Sequence, residues 1–237
     1  MKKEEKTKQT CEKIVHAATI EFGSRSYDAV SLNAICGKYQ IAKGLIYHNF
    51  KNKDELYLYC VKKSFEKLMS YMEEGKEEAK TAREEIRIFL ERREVFFAEN
   101  PYDRNIFFNV MLYPAEHLKE ALFGVMERYD AYIRKQYRHL LSKIRLREGI
   151  SMEMAVEYLS LFQNMYNGYY QNKASRTGDF SRFIEEHNLK ISELLDIIDR
   201  KSTRLNSSSR FIEEHNLKIS ELLDIILYGI STEEKGS

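Results

Sequence analysis

SLNAICGKYQIAKGLIYHNFKNKDEL, running from Ser31 to Leu56, is the stretch that decides the fold. Leu32, Ile35 and Cys36 place apolar side chains on one face of a short helix. Ile41 then opens a second helix on which Lys43, Gly44, Tyr47 and His48 face outward. Asn52 followed by Glu55 matches a capping box and starts a third helix. Two short helices, a tight turn, an aromatic pair and a capped third helix are the layout of a helix-turn-helix DNA reader. Between Lys38 and Lys53 there are four lysines and no carboxylate. A polyanion is therefore the natural partner, because lysine contacts to phosphate supply the sequence-independent part of DNA affinity.

These residues also resemble a known family. Ser31, the pair Ile35 and Cys36, and the run Ile-Ala-Lys-Gly-x-Ile-Tyr-His-x-Phe-Lys-x-Lys-Asp-Glu-Leu from Ile41 to Leu56 are similar to the tetracycline-repressor (TetR) family of bacterial regulators. Upstream, Ile14, Ala17, Ala18, Phe22 and Gly23 fit that family's first helix, so the resemblance spans Thr7 to Leu56. Three positions depart from the pattern. Gln40 stands where the turn usually has Gly, which forces a side chain into a left-handed conformation at a cost. Ala42 replaces a common capping Ser and Leu45 a common Thr, implying fewer hydroxyl contacts to phosphate and an apolar contact of Leu45 with a thymine methyl. The resemblance implies a helix-turn-helix domain over residues 1–52 and a helical ligand-binding and dimerisation bundle over 53–237.

Working outward, helix signals continue to the end of the chain and strand signals do not appear, so an all-α fold is expected. Helices are expected at about Thr7 to Arg25, Leu32 to Tyr39, Ala42 to Asn49, Lys53 to Gly75, Ala82 to Glu99, Tyr102 to Tyr113, Ala115 to Arg147, Ser151 to Tyr170, and from Asp179 onward. Thr81 with Glu84 repeats the capping-box pattern, and Pro101 and Pro114 sit at helix starts, the first with Asn100 before it as a cap. The 237 residues, 43% of them hydrophobic and 32% charged, suffice for a sizeable core. A net charge of +1 confines the basic character to the reader and to Lys2, Lys3, Lys6 and Lys8. No apolar run approaches the roughly 20 residues needed to cross a bilayer, and no signal-peptide segment opens the chain, so a cytoplasmic protein is expected. Cys11, Cys36 and Cys60 have neither metal-like spacing nor an even count and read as small buried apolar residues.

Two stripes in the C-terminal half, Ala155, Leu159, Phe162, Tyr166 and Tyr169, and Ile184, His187, Ile191, Leu194 and Ile198, recur at spacings of helices packed along a partner. An intramolecular bundle and an oligomer interface both satisfy that rhythm. The resemblance favours a homodimer through the last two helices, which presents two readers to a pseudo-palindromic double-stranded operator. The middle of the chain is rich in Tyr, Phe and Met. Most of these are ordinary core, yet a Tyr and Met cluster around a cavity suits an amphipathic or aromatic ligand. The resemblance implies a small-molecule effector pocket here, for which Phe97, Phe108, Met111, Tyr129, Phe162 and Tyr166 are the candidate liners.

Ser181 to Ile198 recurs letter for letter as Ser209 to Ile226, joined by DRKSTRLNSS at Asp199 to Ser208. Natural repeats drift and come in arrays of three or more. The joining segment can be encoded by GATCGGAAGAGCACACGTCTGAACTCCAGT, which resembles a widely used sequencing-adapter oligonucleotide. Residues 199–226 therefore read as an assembly artefact, with the gene running from Ile198 into Leu227. Resequencing the locus from genomic DNA decides between this and a true tandem duplication.

Catalytic signatures are missing from the sequence: there is no GxSxG, HExxH, P-loop or GxGxxG, and the six His form no acid, base or metal-ligand constellation. The expected protein is a regulator rather than an enzyme, without metal or cofactor. In the mechanism that follows, Lys43 and Lys53 hold phosphates, Tyr47 and His48 contact backbone or base edges, Gly44 permits close approach, and Ser31, Ala42 and Leu45 complete the contact. Ligand bound in the bundle tilts the helix from Lys53, changes the separation of the readers and releases DNA. The competing expectation is a helical ligand-binding or protein-interaction module without specific DNA recognition. Whether regulation is repression or activation depends on operator placement, which the chain does not encode.

Overall fold

A computed structural model of the chain describes residues 3–74, 79–146 and 148–177. The described residues form eight α-helices: α1 (Lys3–Ser24), α2 (Leu32–Tyr39), α3 (Lys43–Asn49), α4 (Lys53–Glu73), α5 (Ala82–Glu99), α6 (Pro101–Leu112), α7 (Lys119–Leu141) and α8 (Met152–Thr177). Strands are absent among the described residues, so the fold is all-α as the residue pattern requires.

The capping signals act largely as the sequence predicts. Asn52 accepts from the Glu55 amide at 2.8 Å and opens α4, and Thr81 accepts from the Glu84 amide at 3.1 Å and opens α5. The acidic partners return the bond to the residue before each cap, Glu55 accepting from the Lys51 amide at 2.6 Å and Glu84 from the Lys80 amide at 2.9 Å. Asn100 departs from expectation. Its side chain does not cap α6 but donates to the Phe96 carbonyl at 2.9 Å, closing the end of α5, while Lys67 donates to its oxygen at 2.6 Å. Pro101 starts α6 unaided, since its fixed φ and missing N–H suit a first helical position.

The long helix expected over Ala115 to Arg147 is divided. A short 3-10 turn at Glu116–Leu118 precedes α7, and α7 stops at Leu141 because tightened bonds from Lys143 to Leu140 at 3.2 Å and from Ile144 to Leu141 at 3.2 Å close it.

α1, α2 and α3 form an N-terminal head, and α5 to α8 form the body. α4 runs from one into the other, packing on α1, α5, α6 and α7. One apolar core passes through both. Ile14, Ala18, Phe22, Ile35 and Ile46 fill the head, and Leu56, Cys60, Val61, Phe65, Leu68 and Met72 carry the apolar stripe of α4 into the body. Each fully buried side chain of this kind contributes about 1.5–3 kcal/mol relative to exposure. Burial pushes the Cys60 thiol up to about 12, which keeps it protonated and suits its reading as an apolar filler.

The first C-terminal stripe packs within the chain. Ala155, Leu159 and Phe162 are buried, because α8 lies along α7 with this face inward. The face of α8 left open carries Met154, Tyr158 and Leu161 instead. The side chains of Tyr166 and Tyr169, the stripe Ile184 to Ile198 and the duplicated segment lie outside the described residues.

Candidate nucleic-acid interface

The turn between α2 and α3 sets the reader. Gln40 sits in the left-handed region at φ 52° and ψ 44°, and the Ile41 amide donates to the Cys36 carbonyl at 3.0 Å, the reach-back that ends a helix sharply. Glycine adopts this conformation without penalty and Gln does not, so the turn geometry is retained despite the unfavourable residue. Ala42 starts α3 with extended backbone but offers no side-chain cap.

α3 is anchored by Ile46, fully buried, with Ile41 and Phe50 buried at its two ends. Ala42, Lys43, Gly44, Leu45, Tyr47 and His48 are all exposed, Leu45 by 44% and Tyr47 by 48%. A Cβ built on Gly44 meets nothing within 4 Å, so this position is open on the outer face. The Lys43 ammonium lies 5.7 Å from the centre of the Tyr47 ring and orients it. Ser31 is exposed at the start of α2, where its hydroxyl makes no capping bond.

The four lysines of the reader divide into two pairs. Lys38 donates to Glu21 at 2.5 Å, alongside the Tyr39 hydroxyl at 2.9 Å, and this holds the Glu21 carboxyl below the usual range. Lys53 uses two of its three N–H groups on the Tyr27 and Val30 carbonyls at 2.9 and 3.0 Å, and lies 3.9 Å from the Tyr27 ring centre. A phosphate contact by Lys53 thus requires it to share or leave those carbonyls. Lys43 and Lys51 are exposed and carry no ion pair among the described residues. Lys51 was not singled out from sequence, although it stands in the Phe-Lys-x-Lys run; the signal was there in the family pattern.

Two joints connect this head to the body. At the first, the Tyr27 hydroxyl donates to Asp54 at the start of α4, and His117 Nε2, from the turn before α7, lies 3.5 Å from the same carboxylate. The Tyr27 hydrogen bond, and then His117, hold the Asp54 carboxyl below its ordinary value, while burial raises the Tyr27 phenol. At the second, Gly23 lets α1 touch α6: a Cβ at Gly23 would stand 2.6–2.8 Å from Tyr102 backbone and Cβ atoms. Asn105 donates to the Gly23 carbonyl at 2.7 Å, and Ser64 and Lys67 of α4 both bond Asp103 of α6, at 2.7 and 3.0 Å.

In the body, the expected ligand-lining aromatics Phe97, Phe108 and Tyr129 gather around Phe107, with ring centres 5.0, 5.4 and 5.3 Å from it. Phe162 is buried and Met111 is half-buried against the same core. Beside this cluster lies a cavity of about 50 Å³ between α5, α7 and α8. Of the expected liners whose side chains are described, only Tyr129 borders it. Arg93 comes from α5, Asp130, Ile133 and Arg134 from α7, and Ser160, Gln163 and Asn164 from α8. Arg93 is 2% exposed and its guanidinium donates from Nε and Nη2 to Glu94 at 2.9 and 2.6 Å. Gln163, with its amide oxygen toward Arg93, accepts from Nη1 at 2.8 Å. Arg93 was legible as an oddity, since it interrupts the apolar stripe Ile86, Phe89, Leu90, Phe96 and Phe97.

Among the described residues no group of His, Cys, Asp and Glu is placed to hold a metal ion, and no helix is long and apolar enough to cross a membrane.

A family model described as bacterial regulatory proteins of the tetR family matches residues 14–60. The Transposon Tn10 TetC protein of Escherichia coli is 38% identical over 69 residues, 29% of this chain. The chain spans about a third of that relative's length, 35%. The fold is similar to the transcriptional regulator FadR from Bacillus subtilis, whose structure holds stearoyl-CoA: TM-score 0.62, 17% identity, covering 79% of this chain and 98% of that one. It is similar too to NalD of Pseudomonas aeruginosa, the secondary repressor of the MexAB-OprM multidrug efflux pump: TM-score 0.62, 16% identity, covering 82% and 99%. A TetR-like transcriptional regulator from Rhodococcus gives TM-score 0.58 at 17% identity, covering 78% and 94%.

Proposed function

The chain belongs to the TetR family of bacterial regulatory proteins, and from that premise we propose that it is a cytoplasmic, ligand-controlled repressor that binds a pseudo-palindromic operator as a homodimer. The observation that carries this reading is the outer face of α3. Six successive candidates apart from the buried anchor Ile46 face solvent, with an oriented Lys43–Tyr47 pair and Lys51 beside them. Lys43 and Lys51 hold phosphates; Tyr47, His48 and Leu45 meet base edges or backbone; Gly44 keeps the helix close to the groove.

Dimerisation uses the exposed face of α8, where Met154, Tyr158 and Leu161 recur at spacings of 4 and 3 and no described residue buries them. One reader alone has too little contact area for useful affinity, so two half-sites bound together are required. The effector binds in the body and is a small molecule that favours a second orientation of α4. The two joints transmit that change, because α4 bears both Asp54 at the first and Ser64 and Lys67 at the second. The shift cannot exceed the ligand's differential affinity for the two states.

The test is a footprint of the full chain on DNA flanking its own gene at near-physiological salt. Two protected half-sites about one helical turn apart are expected. Diffuse protection that fades steeply with salt, without a preferred sequence, is the result that removes this reading in favour of an interaction module.

A further inference from the structure

The cavity between α5, α7 and α8 holds a buried polar group that no described residue satisfies. Tyr129 is 4% exposed and lines the cavity beside the Arg93 guanidinium, and its hydroxyl makes no hydrogen bond of normal geometry among the described residues. Buried hydroxyls are ordinarily paired, and a polar cavity beside an unpaired one is a place where another molecule completes the bonding.

We propose that this cavity binds a small uncharged molecule bearing a hydrogen-bond acceptor, a carbonyl or alcohol oxygen, which takes the proton of the Tyr129 hydroxyl. The proposal rests on the effector-binding reading of the body and names the class of effector.

Charge decides the class. The Arg93 guanidinium enters the site already matched by Glu94, two N–H groups on one carboxylate oxygen, and by Gln163 on its other nitrogen. Asp130 and Arg134 add one charge of each sign, one helical turn apart on α7. The site is therefore balanced before anything binds. The buried guanidinium is already matched, and the two exposed charges on α7 cancel in sum, so an anion or a cation would carry a charge into the buried part with no unmatched partner there. A neutral acceptor avoids that cost and still satisfies Tyr129. Size limits the bound part to a few heavy atoms, since about 50 Å³ holds roughly three to five water-sized centres. Ile133 supplies one apolar wall for a methyl or methylene.

The experiment titrates the full chain, carrying 13C-labelled tyrosine rings, with acetamide and, separately, with acetate at neutral pH. The Tyr129 signal is identified by its loss in Tyr129→Phe. Acetamide is expected to move that signal saturably, with acetate at least tenfold weaker. In Tyr129→Phe the ligand-free protein is expected to melt at the same temperature or higher, and protection by acetamide is expected to fall at least tenfold. Acetate binding as well as acetamide, no saturable response to either, or a clearly lower melting temperature for ligand-free Tyr129→Phe would each overturn the proposal. The first of these means an anion site, the second a site for water only, the third a hydroxyl already satisfied inside the protein. Operator binding followed in the same titrations separates the two readings: saturable binding without operator release keeps the site and removes its role as effector site.

Discussion

The outer face of α3 and the inner faces of α5, α7 and α8 treat their functional candidates in opposite ways. On α3, Lys43, Gly44, Tyr47 and His48 face solvent and add nothing to the core, while one buried residue, Ile46, with Ile41 and Phe50, holds the helix in place. In the body the candidates are the core: Arg93, Tyr129 and Gln163 are all under a tenth exposed. A surface that meets DNA can leave its polar groups to water until the partner arrives. A cavity has no such water, so its buried charges pair within the protein, as Arg93 does with Glu94 and Gln163, and a group left over, as the Tyr129 hydroxyl is, costs stability until something binds it.

The largest effect expected from this contrast is at Arg93. Arg93→Met leaves the buried Glu94 carboxylate without its partner and should cost about 3–5 kcal/mol of stability, read from urea denaturation. Adding Glu94→Leu should recover most of the loss, because replacing both members of a buried pair by apolar residues is often neutral or better. A single variant as stable as the parent would mean that the pair is not buried, and the contrast between head and body would fail. The next effect lies at the joint. Gly23→Ala sets a methyl group 2.6–2.8 Å from Tyr102 and should cost about 1–3 kcal/mol, since backbone on both sides must yield. Its operator affinity should fall as well, because α1 is displaced from α6.

Gly44→Ala sharpens the comparison by moving the two properties in opposite directions. The methyl group enters open space in the free protein and improves helix propensity, a gain of about 0.8–1 kcal/mol in thermal or chemical denaturation. Against DNA the same methyl group stands between helix and groove, and operator affinity should drop tenfold or more in a gel-shift titration. Tyr47→Ala, at a half-exposed position, should lower operator affinity with no loss of stability.

The head was legible because its signals are local. The cap at Asn52, the turn at Gln40 and the outward set on α3 all follow from spacing within Ser31 to Leu56, and each acts over a few residues. What spacing could not show is where long lysine side chains go: Lys38 and Lys53 find partners 17 and 26 residues away, at Glu21 and Tyr27. In the body the helices were legible and their neighbours were not. Periodicity placed Ala155, Leu159 and Phe162 on one face but could not say whether that face meets this chain or another. The aromatic residues pack in the same bundle as the cavity, yet the cavity is lined mostly by polar residues whose meaning depends on three helices meeting.

The smallest effect tests the boundary between the two roles at one residue pair. Lys38 sits in the reader yet is tied to Glu21, so its charge serves the contact between α1 and α2 rather than DNA. The hydrogen bond from Lys38 depresses the Glu21 carboxyl, with Tyr39 and Arg25 adding to it. A depressed acid contributes stability that is present above its unfolded value, roughly pH 4.3, and is lost as pH falls through the folded value. Stability of the parent should therefore decline over the acid range below about pH 4.5, and Glu21→Gln should flatten that limb by lacking at neutral pH the stability that the parent loses in acid, a small amount because the Lys38 partner is solvent-exposed. The same substitution releases Lys38 for phosphate, so the slope of log affinity for DNA against log salt should steepen by about 0.9, one contact's worth. A flattened acid limb with an unchanged salt slope would show that Lys38 points away from DNA even when free. The reader would then consist of α3, Lys51 and little else.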